Sequence, residues 1–235
     1  MKYEAISDVG CVRAGNEDMI LVDNLFVRNE AAHGVCQRCA LVADGMGGHD
    51  GGELASDIAC QEFDSWISAL PAGLDQYNLK SEIDDFAKRT HKLINRRGSE
   101  LEGFHGMGTT LVGVFHYCNR WWWINIGDSR LYLYRGNNLV QISTDHSMRN
   151  LTGDSSLPSN MIYNCLGSGD DFETFADFGP LDLIPDDRLL LCSDGLTDIV
   201  GDEKIAADFN VRSLVCLAKA AGGEDNISII ILTNE

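Results

Sequence analysis

The sequence predicts an α+β fold in which antiparallel sheets carry helices on their outer faces. Three observations lead there. Short runs rich in Val, Ile and aromatic residues recur along the chain, each bounded by Gly, Asn or Asp, as strands are. Two long stretches repeat apolar residues with a period of about 3.6, as amphipathic helices do. The strand-like runs and the helical stretches do not alternate regularly, which argues against a doubly wound parallel sheet. With 235 residues the chain can bury one sizeable core, and no repeat or Pro-rich linker divides it. One domain over residues 1–235 is the expectation.

The elements follow in order. Strand-like runs span residues 19–27 and 40–43. A helix is predicted over 53–70, where Ala55, Ile58, Ala59, Phe63, Trp66, Ile67 and Leu70 share one face. A second helix covers 81–97, with Ile83, Phe86, Ala87, Leu93 and Ile94 as its apolar face. Ser81 with Asp84 three residues on resembles a capping box, and Lys92, Arg96 and Arg97 suit the negative end of the helix dipole. Strands follow at 109–115, 121–126 and 131–134. Residues 145–171 have weak periodicity and many Ser, Asn, Gly and Asp residues, a loop of the length that functional flaps reach. A strand at 188–192, a helix at 211–221 and a last strand at 227–232 complete the order.

Composition narrows the function. The chain has 36 acidic against 18 basic side chains, a formal net charge of −18. Nucleic-acid phosphates and anionic membrane surfaces are held by Lys and Arg, so neither is an expected partner. No run of about 18 apolar residues occurs, so no transmembrane helix is expected. Met1-Lys2-Tyr3-Glu4-Ala5 has no apolar signal region, and cytoplasmic residence is the expectation. The acid excess is concentrated: residues 170–235 hold 15 acids against 4 Lys or Arg. Eight cysteines are scattered through the chain, most in apolar surroundings, and read as buried thiols. Cys36-Gln37-Arg38-Cys39 stands apart. Such a pair can be half a zinc site, with His33 or His49 as partner, a redox pair, or two incidental thiols at a strand entry.

Acidic residues recur beside glycine at the ends of apolar strands. Ala43-Asp44-Gly45, Gly127-Asp128-Ser129-Arg130 and Ser193-Asp194-Gly195 each follow such a run, and Glu224-Asp225-Asn226 precedes another. Asp-Gly is also an ordinary hairpin turn. A carboxylate at the rim of a buried strand is poorly solvated and seeks a partner, and several together repel unless cations lie between them. Hard ions such as Mg²⁺ or Mn²⁺ suit carboxylate, carbonyl and water ligands. Arg13 lies close to Glu17 and Asp18 in sequence. It could pair with Glu17 at the surface, and its planar fork also suits a phosphate.

These residues resemble the metal-dependent Ser/Thr protein phosphatases of type 2C, in their bacterial form. The match runs in order through Val9-Gly10, Arg13-x-x-Asn16-Glu17-Asp18, Ala43-Asp44-Gly45-Met46-Gly47-Gly48-His49, Gly108-Thr109-Thr110 and Gly127-Asp128-Ser129-Arg130. It ends with Asp145-His146-Ser147, Cys192-Ser193-Asp194-Gly195-Leu196-Thr197-Asp198 and Glu224-Asp225-Asn226. The resemblance implies a four-layer α-β-β-α sandwich and two or three Mn²⁺ or Mg²⁺ ions. It implies that Asp44 bridges two ions, that Gly45 gives its carbonyl to one and that Asp194 and Asp225 complete the other. Glu17 and Asp18 would hold metal-bound waters or stand behind the ligands, Asp128 would share a third ion with Asp194, Arg13 would bind phosphate, and Asn226 would orient its neighbours.

Two features depart from the family pattern. Met46 stands where many eukaryotic relatives carry a His proposed as general acid, with His49 only nearby in sequence. The flap after Asp145-His146-Ser147 is shorter than in bacterial relatives. The implied reaction is hydrolysis of phosphoserine or phosphothreonine by a water bridging two metals about 3.5–4 Å apart, which brings its pKa toward neutrality. Arg13, Asp44 and Asp194 would carry the catalysis. The implied partner is a protein phosphorylated by a eukaryotic-like Ser/Thr kinase, with the phosphatase as a monomer. Cys192 beside Asp194 is in the wrong field for a thiolate nucleophile, and no GxxxxGK[ST] loop occurs. A non-catalytic binding module and a hydrolase of small phosphate esters are the alternatives.

Overall fold

The structure is a computed structural model that describes residues 1–48, 50–169 and 173–235. His49 and the end of the flap region, Asp170 and Asp171, lie outside the described residues. The first half holds β1 (Lys2–Asp8), β2 (Met19–Val22), β3 (Leu25–Val27), β4 (Ala31–Val35), β5 (Cys39–Ala43) and β6 (Gly45–Met46), then α1 (Asp50–Ala69) and α2 (Gln76–Glu100). Next come β7 (Gly108–Thr109), β8 (Leu111–Tyr117), β9 (Arg120–Ile126), β10 (Arg130–Arg135), β11 (Asn138–Gln141) and the short α3 (Met148–Thr152). The chain closes with β12 (Leu166–Gly167), β13 (Asp177–Leu181), β14 (Arg188–Cys192), α4 (Asp194–Thr197), α5 (Asp202–Ala207), α6 (Val211–Ala220) and β15 (Ile227–Thr233).

Two antiparallel six-stranded sheets form the centre. One has the order β11-β10-β14-β15-β1-β4 and the other β13-β9-β8-β5-β2-β3, with a small third sheet, β12-β7-β6, beside them. Strand alternation sorts the apolar side chains into three layers. Ile20, Val22, Ala40, Val42, Val112 and Val114 from one sheet meet Leu189, Leu191, Ile230 and Leu232 from the other between the sheets. Leu21, Leu41, Leu111 and Phe115 face outward and pack under Phe63, Trp66, Ile83 and Phe86 of α1 and α2. Leu190, Ile229 and Ile231 face the opposite way, under Leu196, Ile205, Leu214 and Ala218 of α4 to α6. The expected α-β-β-α sandwich is thus observed.

The sequence-based boundaries hold closely for β14, α6 and β15. Residues 19–27 are two strands, because Asp23 turns back in the left-handed region at φ 55 and Val22 pairs with Leu25. The second helix begins earlier than Ser81: Asp75 is its cap, its carboxylate accepting from the N–H of Asn78 at 2.8 Å. Asp84 instead binds Lys80 one turn back at 2.6 Å, so the capping-box reading is replaced by an i, i+4 ion pair. Six strands escaped the sequence patterns: β1, the edge strand β4, the two-residue β6 and β12, the short β11, and β13 with its Gly179-Pro180.

The Cys36–Cys39 turn is wrapped around a carboxylate, not a cation. Asp23 Oδ1 accepts from the N–H groups of Arg38 at 2.7 Å and Cys39 at 3.0 Å, and its Oδ2 from Gln37 at 3.0 Å. Both thiols are fully buried, and burial pushes Cys39 up to about 12.

One pairing places the site. β1 lies against β15 in register from Lys2 opposite Thr233 to Asp8 opposite Ile227, which sets the loop after β1 against the loop before β15. Phe63 anchors the outer helix layer, fully buried with ring centroids 5.1 Å from Trp66, 5.4 Å from Phe86 and 6.1 Å from Phe115. Phe63→Ala should therefore cost about 3–5 kcal/mol in urea unfolding, by the lost transfer energy and the cavity left between helix and sheet.

Candidate active site

Four apolar strands deliver carboxylates to one place. β5 ends at Asp44, β9 at Gly127-Asp128 and β14 at Ser193-Asp194, while Asp225 immediately precedes Asn226 and β15. The loop between β1 and β2 adds Arg13 and Glu17. Together they line a cleft of about 270 Å³ that also includes Gly45, Met46, Gly47 and Gly48. Of the residues expected to hold metal, Glu17, Asp44, Gly45, Asp128, Asp194 and Asp225 line this cleft. Asp18 lies beneath it, 1% exposed, where its carboxylate accepts from the Ser193 hydroxyl at 2.8 Å.

Backbone contacts hold these carboxylates in place. The Asp44 N–H donates to Thr110 Oγ1 at 3.1 Å, and its carbonyl accepts from the Thr110 N–H and the Thr109 hydroxyl, both at 2.9 Å. A side chain at Gly45 is impossible: a Cβ would lie 2.2 Å from the Gly52 carbonyl oxygen and 2.5 Å from that of Glu17. Asn226 ties the first loop to the last strand. Its Oδ1 accepts from the Glu17 N–H at 2.8 Å, and its Nδ2 donates to the carbonyls of Val9 and Gly15, both at 3.0 Å. Arg28 donates to the Asp18 carbonyl at 2.8 Å and to Glu53 and Asp57 of α1, so the helix is strapped to the same loop.

The flap is rooted on the Asp128 segment. His146 Nδ1 accepts from the Gly127 N–H at 3.0 Å, and Asp145 takes a two-pronged ion pair from Arg130. Beyond α3, Asn160 and Ile162 reach the cleft wall, and Ser159 donates to Asp198 at 2.9 Å. Sequence patterns gave no role to Asn160 or Ile162, which lie in an aperiodic loop. Thr110 stood in a recognisable motif, but its hold on Asp44 depends on tertiary contact.

Crowding of like charges governs the electrostatics. Asp44 is pushed well above the ordinary carboxylate range by burial and then by Asp18, Asp194, Asp128 and Asp225. Burial is also the main cause for Asp18, raised to about 7, and for Asp128, raised to about 8 with Asp194 as its next contributor. Asp194 is raised to about 6 by burial and by Asp198 and Asp225. Among the described residues the one cation lining the cleft, Arg13, takes up Asp225: Nη2 lies 2.7 Å from Oδ2, while Oδ1 accepts from the Asn226 N–H at 2.8 Å. Asp225 is thus held by Arg13 in this arrangement, and would be shared between arginine and metal. Cys192 is fully buried and pushed up to about 12 by that burial, the opposite of an activated thiol.

The donor set fits hard divalent cations: all oxygen, and crowded enough to hold protons near neutral pH. Among the described residues no three His, Cys, Asp or Glu side chains are grouped as ligands of a single ion. A stability prediction follows. The folded state keeps protons on Asp18, Asp128 and Asp194 that the unfolded chain releases near pH 4. EDTA-treated protein should therefore lose stability as pH rises from 5.5 to 8, and Mn²⁺ should raise the Tm more at pH 8 than at pH 5.5. A metal-free Tm that climbs over this interval would contradict the assignment.

Comparison with known proteins agrees with this geometry. The family model described as Protein phosphatase 2C matches residues 19–227. Protein phosphatase PhpP of Streptococcus pneumoniae is 31% identical, covering 99% of this chain and 97% of the relative. Serine/threonine phosphatase stp of Listeria welshimeri is 32% identical, covering 99% and 95%. The crystal structure of the Mycobacterium tuberculosis serine/threonine phosphatase PstP/Ppp superposes with a TM-score of 0.80 at 31% identity, covering 99% of this chain and 98% of the other. The PstP catalytic domain in complex with two manganese ions gives a TM-score of 0.73 at 31% identity, covering 98% of each chain. The chain belongs to the protein phosphatase 2C family and is a phosphoprotein phosphatase.

Proposed function

We propose that the chain hydrolyses phosphoserine and phosphothreonine with two Mn²⁺ or Mg²⁺ ions, a third being held at Asp128 and Asp194. The observation that carries this is the convergence of Asp44, Asp128, Asp194 and Asp225 with Arg13 in one cleft, each carboxylate at the end or start of an apolar strand. The manganese-bound PstP domain, with the same fold, supports it. When bound, the ions supply a water acidified toward neutrality and offset the charge of the phosphate. Residues 1–235 act as one domain, with 145–171 as a reduced flap.

The protein groups then have definite tasks. Asp44, the Gly45 carbonyl, Asp194 and Asp225 hold the ions, with Glu17 and Asp18 behind them. Arg13 is half exposed at the cleft mouth, so its fork can leave Asp225 and take two phosphate oxygens. Asn226 keeps the Arg13 loop in register with Asp225. Met46 lines the cleft and has no proton to give, so protonation of the leaving oxygen falls to no side chain at that position.

Asn160 and Ile162 are the flap's only residues at the cleft wall among those described, which leaves the mouth open to a phosphorylated loop of a protein. By the family resemblance, that protein is a target of a eukaryotic-like Ser/Thr kinase. Among the described residues no helix is long and apolar enough to cross a membrane. Cytoplasmic action as a monomer completes the proposal.

Phosphate release from a phosphothreonine peptide should require Mn²⁺ or Mg²⁺ and stop in EDTA. Asp194→Ala should lower kcat by about a hundredfold or more, as loss of a principal electrostatic group does. Arg13→Ala should lower kcat/KM about ten- to a hundredfold, the worth of a charge-assisted hydrogen bond. Full activity in Asp194→Ala, or faster turnover of nucleotides than of phosphopeptides at equal concentration, would overturn the proposal.

A further inference from the structure

Asp128 enters the cleft from between two pinned residues. The Ser129 hydroxyl shares a 2.7 Å hydrogen bond with that of Thr110. Gly127 is held at both of its polar groups by a single residue, His146. The Gly127 carbonyl accepts from the His146 N–H at 3.0 Å, and the Gly127 N–H donates to His146 Nδ1, also at 3.0 Å. Gly127 has φ 111, where side chains are disfavoured, and a Cβ there would lie 2.7 Å from the Thr110 side chain. The backbone thus turns sharply just before Asp128, and His146 grips it at that turn.

The grip depends on which ring nitrogen carries the proton. His146 is buried, its ring lying 5.7 Å from that of Tyr163 and 4.9 Å from that of Phe175. Both groups that meet Nδ1 are donors: the Gly127 N–H and the Asn164 amide, the latter at 2.8 Å. A ring nitrogen that accepts bears no proton, so these partners assign the proton to Nε2. There it meets Asp177 Oδ2 at 3.1 Å, and this carboxylate selects the tautomer. The other tautomer would set one N–H against another. Asn164 carries the same network into the flap, its Oδ1 accepting from the Thr174 hydroxyl at 3.0 Å.

We propose that His146 is the positioning residue for Asp128. Its Nδ1 acceptor, oriented by Asp177, fixes the Gly127–Asp128 peptide and with it the direction of the Asp128 carboxylate into the cleft. That Asp128 then holds an ion rests on the function proposed above; the positioning itself does not. Asp44 provides the internal control, because Thr109 and Thr110 hold it without any contact from His146.

Nuclear magnetic resonance of the full-length, metal-free protein tests this directly. The three-bond couplings of the Asp128 β-protons should report a single χ1 rotamer. His146→Leu keeps the apolar packing and removes the acceptor, and it should average those couplings while leaving those of Asp44 unchanged. His146→Asn, whose side-chain oxygen can stand where Nδ1 does, should restore the single rotamer. Asp177→Ala, at a half-exposed position, should average Asp128 in part by freeing the tautomer, and it carries the test if His146→Leu does not fold. By calorimetry, the weakest of the Mn²⁺ ions should bind about tenfold less tightly to His146→Leu than to the parent, the usual worth of a residue that orients a metal ligand, with the tighter ions unchanged. Averaged Asp128 couplings in the parent, an unmoved Asp128 in folded His146→Leu or Asp177→Ala, or averaging that extends equally to Asp44 would each overturn the proposal. A parent that binds only two Mn²⁺ ions would count against the third ion proposed above, while the rotamer result would still decide the role of His146.

Discussion

Repulsion among the carboxyl groups of Asp18, Asp44, Asp128, Asp194 and Asp225 is the constraint around which the catalytic end of the molecule is organised. Separate strands bring them to one cleft, and burial deprives them of the water that would screen them. The fold resists the repulsion with backbone contacts. Thr109 and Thr110 hold Asp44, Ser193 holds Asp18, and Asn226 holds the loop that carries Glu17. The pairing of β1 with β15 makes this possible, because it puts the loops that begin and end the site side by side. What remains uncompensated is negative charge, and divalent cations are the species that relieve it.

The acidity of the chain takes on two meanings in the same light. The carboxylates of the cleft are the ones proposed to hold the ions. Other acids are ordinary partners of surface cations: Asp187 with Arg135 at 2.6 Å, Asp8 with Lys219 at 2.8 Å, Asp57 with Arg28 at 2.8 Å. Most of the excess in residues 170–235 lies outside the cleft, to which that segment gives Asp194 and Asp225.

Much of this was legible in the sequence because the site sits where strong local patterns end. Leu189 to Cys192 can only be a buried strand, and a Ser-Asp-Gly immediately after it must lie at a strand end. The same holds for Leu41-Val42-Ala43 before Asp44 and for Ile124-Asn125-Ile126 before Asp128. β1 and β4 were hidden because they mix Lys, Glu, Ser and His with Ala, two of seven positions being exposed in β1 and three of five in β4. The ion pair of Arg13 with Asp225 spans 212 positions, and no local pattern foretells it. Asn160 and Ile162 belong to a loop whose path is set by its anchors, His146 on Gly127 and Ser159 on Asp198, rather than by any periodicity. The Cys36–Cys39 spacing left zinc, redox and incidental readings open, and no local pattern foretold that the turn would enclose the Asp23 carboxylate, sixteen residues before Cys39.

The central claim is that the cleft holds protons in place of cations and gives them up when cations bind. Calorimetric titration of Mn²⁺ into the protein, repeated in buffers of different ionisation enthalpy, counts those protons directly. The account predicts net proton release at pH 6.5, where Asp18 and Asp128, raised to about 7 and about 8, are largely protonated, and much less at pH 9. Mn²⁺ binding with no proton release at pH 6.5, or unchanged binding in Asp194→Asn, would contradict it.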